Sequence, residues 1–286
     1  MDIKIVIPTF NAGEHFKELA AVLLKQCGIK ADDIYIVDSS STDNTVAIAR
    51  KAGFKVRIIK QSEFGHGKTR AEAVEDIATD ILVFMTQDVL PATNDAILKL
   101  CTIFEKDNMV GAVYGRQLPY ESTDAFGKHA RLFNYPAQSR INTLADRNKR
   151  GIKTAFLSDS FAAYKREILV RIGNFPKGIN FGEDTVVAAK MLLAGYKTFY
   201  CAEAKVYHSH TFSCYEEFKR YELIGKFHKQ ESWLLKDFGK AEGEGFKFVK
   251  SEFSYLIREE SVCLLPPALL RNIFKYLGYF YGKRCS

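Results

Sequence analysis

The stretch Ile81–Pro91 reads ILVFMTQDVLP: five apolar residues, then Thr86, Gln87 and Asp88, then an apolar run again. An unbroken run of this length describes a strand buried on both faces, as in a parallel sheet covered by helices. Such a strand ordinarily ends in a turn residue, with any acid well out in solvent. This one carries a carboxylate to its tip. Three comparable runs precede it, IKIVIP (3–8), DIYIVD (33–38) and KVRIIK (55–60), and VGAVYG (110–115) follows. Helix-like stretches lie between them, near 14–27, 43–52, 68–78 and 93–106. Strands alternating with helices predict an α/β fold with a mostly parallel central sheet. Ligands of such sheets bind beyond the carboxyl ends of the strands, which directs attention to the tips.

Four consecutive tips are small, polar or acidic. PTFN (8–11) follows the first strand, DSSSTDNT (38–45) the second, SEFGHGKTRAEA (62–73) the third and TQD (86–88) the fourth. Each has a purely structural reading: Asp43 or Thr42 as a helix N-cap, Gly65 and Gly67 as a turn, Asp88 as a solvated acid. Their joint occurrence suits a nucleoside diphosphate. Asp38 can accept from ribose hydroxyls or a base N–H. Arg70 and Lys68 can face phosphate. Asp88 is a hard oxygen ligand for Mg²⁺ or Mn²⁺. Neither G-x-G-x-x-G nor G-x-x-x-x-G-K-[ST] follows the first strand, which argues against NAD enzymes and P-loop NTPases.

The totals agree with a soluble globular chain. Of 286 residues, 47% are hydrophobic and 26% charged, and the formal net charge is +7. The basic residues are dispersed and no base-stacking motif appears, so nucleic-acid binding is not expected. The six cysteines are scattered, without a C-x-x-C pair, and read as free thiols of a reducing cytosol. The chain opens directly on a strand, which predicts a cytoplasmic protein without a secretory leader. Residues 116–153 are irregular and basic and read as a loop or short helices; 159–175 returns to a strand followed by a helix. GEDTVVAAKMLLAGYK (182–197) is a helix with acids at its start, TFYCAEAKVYHSH (198–210) is strand-like, and the chain from about 214 is helical.

IVIPTFNAGEHF, IYIVDSSSTDNT, FGHGKTRAEA, TQD and GEDTVVAAKMLLAGYK together resemble glycosyltransferase family 2, over about residues 1–212. TQD with FGEDTVVAAKMLLAGYKTFYCAEAKVYHSHTFS is more narrowly similar to bacterial rhamnosyltransferases of surface-polysaccharide assembly. The resemblance implies the GT-A fold, a Rossmann-like nucleotide-diphospho-sugar transferase fold, here with a C-terminal helical extension. It divides the chain into a glycosyltransferase domain, 1–212, and a helical region, 213–286. Residues 1–115 would bind the nucleotide-sugar and 116–212 the acceptor. Pro8, Thr9, Asn11, Asp38, Ser39, Ser41, Gly67, Gln87 and Asp88 would form the donor site, with Arg70 on the diphosphate. The family's D-x-D motif is reduced here to Thr86, Gln87 and Asp88, so a single acid remains. His208 would complete the Mg²⁺ or Mn²⁺ site, with His210 as the alternative. Asp184 would be the general base and Glu183 its partner toward the acceptor, beside Ser158 and Asp159. The implied reaction is an inverting single displacement from a nucleotide-diphospho-sugar, dTDP-L-rhamnose by resemblance, to an oligosaccharide or lipid-linked acceptor. A nucleotide-sugar-binding module without turnover is the alternative, since the reduced TQD also fits it.

The tail PPALLRNIFKYLGYFYGKRC (266–285) is amphipathic. Leu269, Leu270, Ile273, Phe274, Leu277, Phe280 and Tyr281 form one stripe, and Arg271, Lys275, Gly278 and Gly282 the opposite face. The stripe fits packing on the protein's own core or a homodimer contact. It equally fits a helix lying in an anionic membrane surface, peripheral at the inner face of the cell membrane.

Overall fold

A computed structural model describes residues 1–240 and 243–284. The chain forms two compact units: Met1–Gln117 with Ala137–Leu144 and Ala155–His208, and Leu118–Pro136 with Ala145–Thr154 and Ser209–Ser286. This division departs from the expected boundary at residue 212. Residues 118–136 group with the C-terminal helices because Phe126 packs with Tyr255, Leu256 and Ala268. Residues 145–154 join them through Lys153, whose Nζ pairs with Glu244 at 2.5 Å.

The first unit holds the sheet. Its strands are β1 (Ile3–Thr9), β2 (Ile34–Asp38), β3 (Lys55–Ile58), β4 (Ile81–Met85), β5 (Leu90–Pro91), β6 (Val110–Leu118), β7 (Arg140–Asn142), β8 (Phe161–Lys165) and β9 (Lys197–Tyr207). Their order is β3-β2-β1-β4-β8-β6-β9-β5, with β7 paired to β9. β3, β2, β1 and β4 run parallel, so their carboxyl ends meet on one edge, with Thr9 beside Asp38. β8 then runs antiparallel to β4, with Phe161 opposite Met85. That reversal brings residues 158–160, which precede β8, beside the tip of β4.

All five residues of β4 are buried, as an unbroken apolar run requires. The helix Gly13–Leu23 covers one face of the sheet. Its Phe16, Leu19, Ala20 and Leu23 recur at helical spacing and pack with Ile5, Ile7, Ile34 and Ile36. Each such fully buried Leu, Ile or Phe contributes roughly 1.5–3 kcal/mol, which makes the β4 tip a rigid support. Two details differ from expectation. β7 lies within the stretch read as loop; it is three residues long, too short for periodicity to reveal, and it forms only by pairing with β9. Neither Thr42 nor Asp43 is the N-cap of the helix Thr45–Lys51; that position is Asn44. The Asp43 carboxylate instead joins two segments, accepting from Gly13 N at 2.8 Å and Thr45 N at 2.9 Å.

In the second unit the helix Cys214–Gln230 begins at a capping box between Ser213 and Glu216. The helix Leu265–Arg284 runs parallel to it at backbone contact. A Cβ on Gly278 would lie 2.3 Å from Phe218 O, and one on Gly282 only 2.0 Å from Glu222 O, so only glycine permits this approach. The amphipathic helix is turned opposite to a packed apolar stripe. Arg271, Lys275, Gly278 and Gly282 are buried, while Leu269, Leu270, Ile273, Leu277, Phe280 and Tyr281 face outward. The buried charges are matched: Arg271 Nη2 and Lys275 Nζ lie 3.1 and 3.4 Å from Glu217 Oε1. Arg271 also donates to Phe212 O and sits over the Phe126 ring. Among the described residues, no helix is long and apolar enough to cross a membrane.

Candidate active site

The expected donor residues meet at the β1, β2 and β4 tips, but several are occupied with one another. Asp38 is fully buried and accepts from Thr9 Oγ1 at 2.8 Å, Ser41 N at 2.8 Å and Ser41 Oγ at 2.6 Å. It therefore organises the loop from behind, and the structure does not present it to a ribose or base as expected. Ser39 is likewise buried. Asn11 adopts a positive φ of 45°, which lets its Oδ1 accept from Thr42 N at 2.8 Å while its own amide donates to Ser41 Oγ. Gln87 ties two tips together: its Oε1 accepts from Phe10 N at 2.8 Å and its Nε2 donates to Phe10 O at 3.1 Å. Pro8 and Ser41 are partly exposed, and Phe10, Asn11 and Asp88 are exposed, so these line the open side. Gly67 is turned away from it. Its amide donates to Ile179 O, and a Cβ there would strike Pro176 O at 2.1 Å.

Asp88 stands at the tip as the sequence suggested, and its Oδ2 lies 3.2 Å from His208 Nε2. The other ring nitrogen of His208, Nδ1, is 2.8 Å from Gln117 Oε1, and Gln117 Nε2 donates to Ser158 Oγ at 3.0 Å. With Nδ1 donating to Gln117, a neutral imidazole turns the lone pair of Nε2 toward Asp88, the arrangement of a metal-ligating histidine. Ligand atoms of Asp88, His208 and His210 all lie within 4.8 Å of one another. His210 follows His208 by two residues in the same segment, so that segment sets its nearness. One carboxylate and two imidazoles fit a divalent transition ion such as Mn²⁺ better than Mg²⁺, which favours all-oxygen shells. Thr86 stands at the place of the missing acid, and its Oγ1 is buried.

The acid pair lies at the start of the helix Glu183–Leu193, after Gly182 at φ 80°. Here the structure corrects two expectations. Arg70 does not face an open phosphate subsite: its side chain is 3% exposed, with Nε 3.0 Å from Asp159 Oδ2 and Nη1 2.6 Å from Glu183 Oε1. Asp159 is not an open acceptor wall either, being equally buried and hydrogen-bonded from the Tyr164 hydroxyl. Asp184 is half-buried; its Oδ1 accepts from Thr185 N at 2.7 Å and its Oδ2 from Asp159 N at 3.3 Å. Three carboxylates thus surround one guanidinium. Burial pushes Asp159 up to about 7 and Glu183 up to about 8, with the neighbouring acids adding and Arg70 opposing. Burial raises Asp184 in the same direction, again against Arg70. A carboxyl held above its ordinary range is the stronger base once ionised, which suits a group that must take a proton near neutral pH.

Gln117 and Tyr164 were not legible as site residues. Gln117 sits in a strand without a motif, and only the β6–β8 neighbourhood brings it between His208 and Ser158. Tyr164 is five residues beyond Asp159 and meets it because β8 begins between them.

Residues 4–173 match the family model "Glycosyl transferase family 2". The chain belongs to that family. Among curated proteins it is 43% identical to the O-antigen chain rhamnosyltransferase RfbN of Salmonella typhimurium, over 99% of this chain and 90% of that protein. It is 42% identical to the O-antigen chain rhamnosyltransferase WbaN of Salmonella anatum, over 98% of this chain and 88% of that protein. Among solved structures, the mannosyltransferase PcManGT of Pyrobaculum calidifontis, in complex with GDP-Man and Mn²⁺, superposes with a TM-score of 0.67 at 16% identity, covering 100% of this chain and 88% of that one. TarS of Staphylococcus aureus in complex with UDP gives 0.58 at 17% identity, covering 99% and 90%. These likenesses make this chain a glycosyltransferase of GT-A fold.

Proposed function

We propose that this glycosyltransferase moves L-rhamnose from dTDP-L-rhamnose to a saccharide acceptor carried on a lipid, at the inner face of the cell membrane, in building a bacterial surface polysaccharide. The observation that carries the reading is the likeness to two O-antigen rhamnosyltransferases over nearly the whole chain. The donor nucleoside lies along Pro8, Asn11 and Ser41, with Thr9, Asp38 and Gln87 holding those tips in place. Asp88 and His208, joined by His210, would hold a divalent ion, Mn²⁺ by donor chemistry, and that ion would supply positive charge against the diphosphate. The acceptor hydroxyl enters beside Ser158, with Glu183 buried behind it on Arg70, and Asp184 takes its proton as the oxygen attacks the anomeric carbon. The attack comes from the face opposite the diphosphate, so configuration inverts without a covalent intermediate. Arg70 does not touch the donor; it balances Asp159 and Glu183 and keeps the acid pair in position.

The test is a donor screen by thermal shift, with dTDP-rhamnose, UDP- and GDP-sugars, each with and without Mn²⁺ or Mg²⁺. A ligand that binds only the folded state raises the transition temperature. Metal-dependent stabilisation selective for dTDP-rhamnose is expected; equal or greater stabilisation by a UDP- or GDP-sugar overturns the donor assignment.

A further inference from the structure

We propose that the outward face of the Leu265–Arg284 helix is a docking surface for an anionic lipid bilayer, on which the helix lies flat. The helix seats its polar and small face inward on Glu217 and the 214–230 helix and leaves its apolar stripe uncovered. Leu269, Ile273, Leu277 and Tyr281 are each between 45% and 53% exposed, and Tyr276 is 66% exposed. A run of large apolar side chains along one exposed helix face is not left to water without a partner. The inward face cannot exchange with it, because turning the helix would bury leucine against Glu217 and strip Arg271 and Lys275 of their counter-charge.

Charge selects the occupant. The second unit carries 19 of the chain's 41 basic residues but only 13 of its 34 acidic ones, so nearly all of the net +7 resides there. The helix itself has no acid, and exposed Lys283 and Arg284 close its last turn. The Arg284 guanidinium lies over the Phe280 ring, 4.1 Å from its centroid, so a positive charge sits on the border of the apolar stripe. A second copy of this face would bring two positively charged units together, whereas anionic headgroups compensate them. The helix is too polar to span, so it lies in the interface, aromatic and aliphatic side chains down and basic groups at headgroup level. This deepens the lipid-linked part of the proposed function, yet its test needs no turnover, so either can fail alone.

The experiment is co-sedimentation of the full chain with vesicles of phosphatidylcholine, pure or with phosphatidylglycerol added. The wild type should partition onto the anionic vesicles, and less so as salt rises. The triple variant Leu270→Glu, Ile273→Glu, Leu277→Glu changes only exposed side chains and should stay in the supernatant with an unchanged circular dichroism spectrum. Lys283→Gln with Arg284→Gln should lower partitioning about 25-fold, at about five-fold for each basic group near the surface. Wild type remaining in the supernatant, or triple and wild type sedimenting alike, overturns the proposal. So does a wild-type dimer that the triple variant converts to monomer without a change in vesicle binding. Nucleoside diphosphate release with a soluble acceptor, equal in wild type and triple variant, keeps the catalytic reading separate.

Discussion

Asp159→Asn tests the buried charge cluster most directly. In the folded protein burial pushes Asp159 up to about 7 from an ordinary 3.8, with Asp184 adding and Arg70 opposing. In the unfolded chain the same carboxyl ionises near its ordinary value. Between those two pH values the folded state therefore keeps a proton that the unfolded state has released. Stability falls as pH rises through this window and levels off above it. One proton corresponds to a slope of about 1.4 kcal/mol per pH unit, and the full window to on the order of 4 kcal/mol. Asparagine keeps the shape and an acceptor for Tyr164 but does not titrate. Urea unfolding of both proteins at pH 5, 6, 7 and 8 reads the difference. The wild type should lose stability across this range, and the gap between the two curves should change by roughly 2 kcal/mol between pH 5 and 7. Parallel curves, or a wild type gaining on the variant as pH rises, would refute the reasoning that Asp159 holds a proton.

Asp184→Asn should lower kcat by about 10²–10⁴ while donor binding by thermal shift is kept, and the wild-type rate should fall on acidification at a higher pH than an ordinary carboxylate base gives, because burial raises Asp184. Undiminished nucleoside diphosphate release by the variant would remove it from that role. Asp88→Ala and His208→Ala should each abolish the enhancement of donor binding by Mn²⁺ in calorimetry, whereas Thr86→Ala should leave it intact; the reverse pattern would displace the ion from Asp88. Gly282→Ala places a Cβ 2.0 Å from Glu222 O and should cost about 1–3 kcal/mol in urea unfolding. Gly178→Ala, where nothing lies within 4 Å, serves as the neutral control.

The parallel half of the sheet and the lining of its edge were legible because both are local properties. An unbroken apolar run such as Ile81–Met85 states its own burial, and Asp88 states its place by following it. The acids at 183 and 184 were legible as a helix start for the same reason. The reversal of β8 left no mark on its own residues, and with it went Gln117, which reaches the site only through Ser158 and His208. Arg70 was misplaced for a related reason. A basic residue on a helix after a strand tip faces phosphate or a buried acid with equal ease, and the acids that claim it are 89 and 113 residues further along the chain.

The C-terminal helix marks the boundary most clearly. By itself the sequence determined that residues 265–284 have two faces, because periodicity is a property of the helix alone. It did not determine which face is turned inward. That depended on Glu217 neutralising Arg271 and Lys275, and on Gly278 and Gly282 meeting the backbone of Phe218 and Glu222. Burial of the polar face is favourable only where counter-charges and close backbone contact are supplied by another element, and only the tertiary structure brings that element into place.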